Sequence, residues 1–221
     1  MSKTQILIII SMILFWLIVG LSRMYTRRRV KTLFEEGRLE QYQAFLDTFW
    51  AKTYIRPYER ELSKLTGYLA SMDDKNTEKQ LRFMLEEINT TAKQKAEIAS
   101  RGFYHYLSKG KYSKAGRMLQ IIEDSGIDVP DHASMTMLYE IFGKKSDRYI
   151  DTLKKNIEVL LKQDDEDGHY RQNIGIYEYL IAVQYRNRKD IPSMKRYLNA
   201  ALEKCRNTPY EMKIRELLNI S

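Results

Sequence analysis

Along most of this chain apolar residues recur every three or four positions, the spacing of one face of an α-helix. The exception comes first. Residues 6–21 read ILIIISMILFWLIVGL, and Ser11 and Gly20 are their only non-apolar members. A helix rises 1.5 Å per residue, so a hydrocarbon core about 30 Å thick takes roughly 17–25 such residues. Counted from Gln5 to Ser22, with Met24 and Tyr25 in the headgroup layer, the run is long enough. It predicts a transmembrane anchor over residues 1–25.

The rest predicts helix pairs. Val30, Leu33 and Phe34 precede a break at Gly37, and Leu39, Tyr42, Phe45, Leu46, Phe49 and Trp50 resume the pattern as one second helix. Leu62, Leu65, Leu69 and Met72 run up to a turn over residues 73–76, and Leu81, Phe83, Met84, Leu85 and Ile88 follow. Ala96, Ala99, Phe103, Tyr106 and Leu107 lead through Gly110 to Tyr112, Ala115, Met118, Leu119 and Ile122. Pro130 stops the preceding helix, with Asp131 the expected N-cap of the next. That fourth pair carries Met137, Leu138 and Ile141, then Ile150, Leu153, Ile157 and Leu160. After an acidic link at residues 164–168, Tyr177, Leu180, Ile181 and Tyr185 pair with Ile191, Met194, Leu198, Ala201 and Leu202. Pro209 starts a last helix over residues 210–218. No Asn-Gly or Asp-Gly turn joins alternating runs, so the fold class is all-α.

The expected turns at Gly37, Asn76, Gly110, Lys145 and Lys189 are 39, 34, 35 and 44 residues apart. A helix–turn–helix period near 34 is a mark of tetratricopeptide repeats. Gly110, Tyr112, Ala115 and Leu119 resemble that family's G-x-Y-x-x-A-x3-F segment. Ile181, Ala182 and Tyr185 resemble its L-G-x2-Y, with Met194, Leu198 and Ala201 behind them. The chain departs from the family where Ala99 and Glu178 stand for its tryptophan, and where Phe103 and Leu138 stand for a small residue. The resemblance implies an α-solenoid of about five helix pairs over residues 32–221. An irregular helical bundle is the competing architecture.

Charge changes the picture only near the anchor. The net charge of +8 suggests nucleic acid, but residues 1–31 carry Lys3, Arg23, Arg27, Arg28, Arg29 and Lys31 and no acid. Residues 32–221 keep +2. The basicity therefore belongs to a juxtamembrane flank, residues 26–31 with Arg23 just before it, and no nucleic-acid partner is expected. Lysine and arginine favour the cytoplasmic side and anionic lipid, which predicts a single-pass protein with its C-terminal bulk in the cytoplasm. An outward-facing domain and a cleaved secretory signal compete with this reading. The run exceeds a usual h-region and no A-x-A site follows it.

Candidate chemistry is sparse. One cysteine, Cys205, excludes an internal disulfide, and it reads as a small apolar filler. His105, His132 and His169 show no zinc spacing. Placing Gly168 at position 6 of a calcium loop puts Gln163 at position 1 and Ile174 at position 12, so the EF-hand pattern fails. No nucleophile motif or phosphate loop is present, and neither an enzyme nor a cofactor is expected. Asn89-Thr90-Thr91 and Asn219-Ile220-Ser221 match a glycan acceptor that counts only in a glycosylating lumen. Abundant Lys, Ile, Tyr and Met are what an AT-rich bacterial genome tends to give.

In the tetratricopeptide family the first helix of each repeat lines a concave groove. Carried onto this sequence, that register implies a partner groove of Tyr104 and Leu107, then Met135, Tyr139 and Phe142, then Tyr179 and Arg186. It lacks the lysine and asparagine set that clamps a C-terminal carboxylate in chaperone-binding members. Tyrosine and methionine suit an adaptable apolar surface instead. The same side chains could pack between helices or under the terminal helix. The resulting expectation is a membrane-tethered scaffold for an unidentified protein or peptide, with a structural spacer or an outward module of envelope assembly as rivals.

Overall fold

The computed structural model describes residues 3–163 and 170–220. Among them are twelve α-helices and no strand. The acidic link at 164–168 lies outside the described residues.

The first helix, α1 (Lys3–Glu35), is continuous for 33 residues, about 50 Å at 1.5 Å per residue. Its stretch Leu7–Glu35 is long and apolar enough to cross a membrane. Leu7, Met12, Phe15, Trp16 and Leu21 are all exposed. Two hydroxyls on α1 are satisfied by its own backbone: Ser11 Oγ donates to the Ile8 carbonyl and Thr26 Oγ1 to that of Ser22, each at 2.8 Å. Lipid requires such internal pairing, because hydrocarbon offers no partner. The helix runs unbroken through residues 25 and 31.

The helices divide into two compact units, Met1–Gly102 with Asp124–Ile127, and Phe103–Glu123 with Asp128–Ser221. In the first, α1 ends at Gly37 (φ +68°) and the chain doubles back. The expected second helix is in fact two, α2 (Leu39–Leu46) and α3 (Phe49–Tyr54). Thr48 makes the break: it is extended, and its side chain accepts the Ala51 amide as an N-cap. Leu33 of α1 joins Tyr42 and Leu46 in a buried cluster, with Val30, Phe34, Phe45 and Ile55 against it. The next pair is α4 (Pro57–Ala70) and α5 (Asp74–Glu86). Pro57 occupies the first turn of α4, where an amide donor is not needed. The turn expected at 73–76 lies earlier, with Met72 left-handed (φ +55°). Asp73 caps α5 by accepting the Asn76 amide at 3.1 Å. What reads as turn composition is the capped first turn of a helix.

Helix α6 (Ala92–Ser108) carries the division between the units, and α7 (Tyr112–Asp124) follows. The second unit continues with α8 (His132–Phe142), α9 (Ile150–Gln163), α10 (Arg171–Asn187), α11 (Ile191–Lys204) and α12 (Pro209–Ile220). Asp131, the expected N-cap, is left-handed (φ +67°) and its side chain makes no capping bond. Its carbonyl accepts the Met135 amide at 2.8 Å instead. Helix α10 is the centre of this unit, packing on α8, α9 and α11, while α12 packs on α11. The core gathers Ile141, Leu153, Ile181, Leu198, Ala201 and Ile214. Cys205, fully buried, belongs to that core at the end of α11.

Four helix ends share one hydrogen-bond arrangement. At Gly37, Met72, Gly110 and Lys189 the left-handed residue bonds three residues back, and the next amide bonds five back. The second bonds are Arg38 to Leu33, Asp73 to Tyr68, Lys111 to Tyr106 and Asp190 to Tyr185, at 2.9–3.0 Å. This closes otherwise orphaned terminal carbonyls. At the fifth joint Lys145 is left-handed too (φ +55°), and Ser146 bonds back to Glu140 at 2.9 Å.

Candidate functional site

In the second unit four helices present one face each to a cavity of about 440 Å³. Helix α6 contributes Tyr104 and Leu107, α8 contributes Leu138 and Phe142, and α10 contributes Tyr179 and Arg186. The spacings within each helix are three, four and seven, which stack side chains on one face. The fourth wall is α12, with Tyr210, Lys213, Glu216 and Leu217. Tyr112 lines the opening after Gly110.

Tyr179 sits at the floor, 6% exposed. Its ring lies 6.4 Å from that of Phe142 and 5.7 Å, edge-on, from that of Tyr210. Offset and edge-on aromatic pairs add stabilisation beyond the area they bury. Burial pushes the Tyr179 phenol up to about 12, against the pull of Arg186. Burial also raises the Tyr104 and Tyr210 phenols, helped at Tyr104 by Asp131 and Tyr210. All three are neutral donors and acceptors at physiological pH. The charged residues Arg186, Lys213 and Glu216 are exposed. The site is thus an aromatic floor with charges at its rim, an arrangement that binds apolar groups and orients them by polar contacts.

Five residues of the expected groove, Tyr104, Leu107, Phe142, Tyr179 and Arg186, meet at this cavity. Two do not. Met135 is 2% exposed and belongs to the interior, so no partner reaches it in this conformation. Tyr139 is turned away, against Gly116 of α7 and Gly143, with the Lys144 ammonium 5.7 Å from its ring centroid. The sequence does not assign Tyr112, Leu138 or Leu180 to the groove, and the α12 wall matches the alternative that the groove side chains pack under the terminal helix. The period of Tyr210, Lys213 and Leu217 marks one helix face, but nothing local says where that face packs.

The basic flank lies along α1. Arg23, Arg27, Arg28 and Lys31 are exposed and Arg29 is half-buried, while Thr26 and Leu33 of the same helix are buried. Lys31 pairs with Glu35 at 3.6 Å. Among the described residues no group of three or more His, Cys, Asp or Glu side chains is placed to hold a metal ion.

No family model matches this sequence, and no curated protein or solved structure matches it significantly.

Proposed function

We propose that this chain is a single-pass membrane protein whose tetratricopeptide-like helical domain is held at the cytoplasmic face as a docking platform for a protein partner. The observation that carries the reading is α1 itself. From Leu7 to Leu21 it is almost entirely apolar and exposed, and the same unbroken helix then supplies Leu33 to the core of the first unit. A helix with that much uncovered apolar surface is stable only in lipid or against other protein. The arginines that follow favour the cytoplasmic side and contribute about 1 kcal/mol each towards anionic lipid.

The recurring left-handed turns, and the packing of α10 on α8, α9 and α11, support the repeat reading. Helix stacks of this kind act by offering surface rather than by chemistry, and the aromatic cavity is a surface suited to an apolar peptide side chain. Tethering raises the effective concentration towards other membrane-bound chains. The function proposed is therefore scaffolding, without catalysis and without nucleic acid.

The test is cross-linking of the full-length protein in its own membrane, followed by identification of captured chains, for wild type and for Tyr104→Ala with Arg186→Ala. Loss of a specific adduct in the variant, at unchanged helicity, supports docking at the cavity. The same adducts from both proteins would remove the cavity from the reading. Absence of any specific adduct would leave a structural spacer.

A further inference from the structure

The short helix α3 carries two of the largest exposed side chains outside the anchor: Phe49 is 72% exposed and Trp50 47%. The sequence pattern assigns both to a buried stripe. Instead they form an ordered aromatic group, Phe49 edge-on to Trp50 at 5.8 Å and Trp50 stacked on Tyr54 at 6.0 Å and 10°. Such a group exposed to water is unfavourable, and the place it occupies suggests what covers it.

Helix α3 packs on α1. From Gly37 the chain doubles back through the eight residues of α2. At 1.5 Å per residue, α3 then begins roughly ten residues before the end of α1, close to Thr26. Burial agrees with that register. Thr26 on α1 and Ala51 on α3 are both fully buried, and small residues let two helices approach closely. Thr26 lies five residues past Leu21, the end of the apolar run, at the level of the arginine flank. Lys52 and Arg56, next to the aromatic group, are also exposed. Tryptophan and tyrosine favour the headgroup level of a bilayer, and lysine and arginine beside them meet lipid phosphate.

We propose that α3 is an interfacial foot: Phe49 and Trp50 enter the headgroup–acyl boundary of the leaflet from which α1 emerges, about 5–10 Å deep. The inference rests on α1 spanning the bilayer. A lone spanning helix is free to rotate about its axis, and a second contact beside it fixes which face of the first unit meets the membrane.

The chain has two tryptophans, so each can be read alone. Full-length W16F and W50F are reconstituted in phosphatidylcholine–phosphatidylglycerol vesicles. The acyl chains are brominated either near the glycerol or near the terminal methyl. In W16F, the remaining Trp50 should emit at shorter wavelength than in water and lose more intensity to bromine near the glycerol. In W50F, the remaining Trp16 should be quenched most by bromine near the methyl end. Water-like, unquenched Trp50 beside deeply quenched Trp16 overturns the foot and leaves the span standing. Blue-shifted but unquenched Trp50 means that protein, a second copy included, covers it, which also overturns the proposal. Unquenched Trp16 removes the span and the foot together.

Discussion

Gly175 sets how closely α10 and α11 approach. A Cβ there would stand 2.7 Å from Cys205 Sγ and 2.8 Å from Lys204 Cβ. The Lys204 Cβ is fixed by the backbone and cannot swing aside, and Cys205 Sγ sits in a fully buried side chain. Gly175→Ala gains helix propensity of up to about 1 kcal/mol, but overpacking costs about 1–3 kcal/mol. The urea midpoint should fall. Gly20→Ala, whose Cβ meets nothing within 4 Å, is the matching control in the anchor. At the helix starts, Asp73 and Asp190 accept the amides of Asn76 and Ser193 at 3.1 Å each. These bonds hold both carboxyls below the ordinary value of 3.8, the side-chain bond to Ser193 leading for Asp190 and the backbone bond to Asn76 for Asp73. A carboxyl depressed in the folded state stabilises above its unfolded pKa, and the gain is lost as pH falls through the folded value. Asp190→Ala should therefore lower the melting temperature at pH 7, and the gap from wild type should close below 3.8.

The elements turn on their left-handed ends. Left-handed backbone costs an L-residue about 1–2 kcal/mol, more than the roughly 0.4–1 kcal/mol of extra unfolded-chain freedom that glycine brings. Lys189→Gly should thus raise the urea midpoint slightly and Gly110→Ala lower it. Four of these joints, at Gly37, Gly110, Lys145 and Lys189, are visible in the sequence, because periodic apolar runs stop there and restart. The fifth is misplaced from Met72 to Asn76, since Asp and Asn serve turns and helix N-caps alike. The break between α2 and α3 is hidden for a related reason: apolar spacing continues from Leu46 to Trp50, and only the Thr48 cap interrupts it. Tyr104, Leu107, Phe142, Tyr179 and Arg186, which the tetratricopeptide resemblance implies as groove positions, come together at one cavity because each helix turns one face towards it. The α12 wall is legible only as an alternative, because its place depends on packing between distant parts of the chain.

At the scale of the whole molecule, the apolar run and the first residues of the Leu33 cluster share one helix. Thr26 is buried and Val30 packs on the Leu33 cluster, so part of the basic flank is packed against the helices that follow it. A fragment of residues 23–221 should melt higher than one of residues 32–221, by scanning calorimetry. Equal melting would mean that the α1 segment adds nothing to the unit. Continuity also means that the apolar segment of α1 reaches the Leu33 cluster without a break in the helix. The most direct check uses two single-site variants in intact cells, Thr4→Cys before the apolar run and Gln120→Cys on an exposed face of α7. Native Cys205 is fully buried and adds little background. A membrane-impermeant maleimide should label Thr4→Cys from outside and Gln120→Cys only after permeabilisation. Labelling of Gln120→Cys on intact cells, or equal protection of both sites, would contradict a spanning helix with its domain in the cytoplasm.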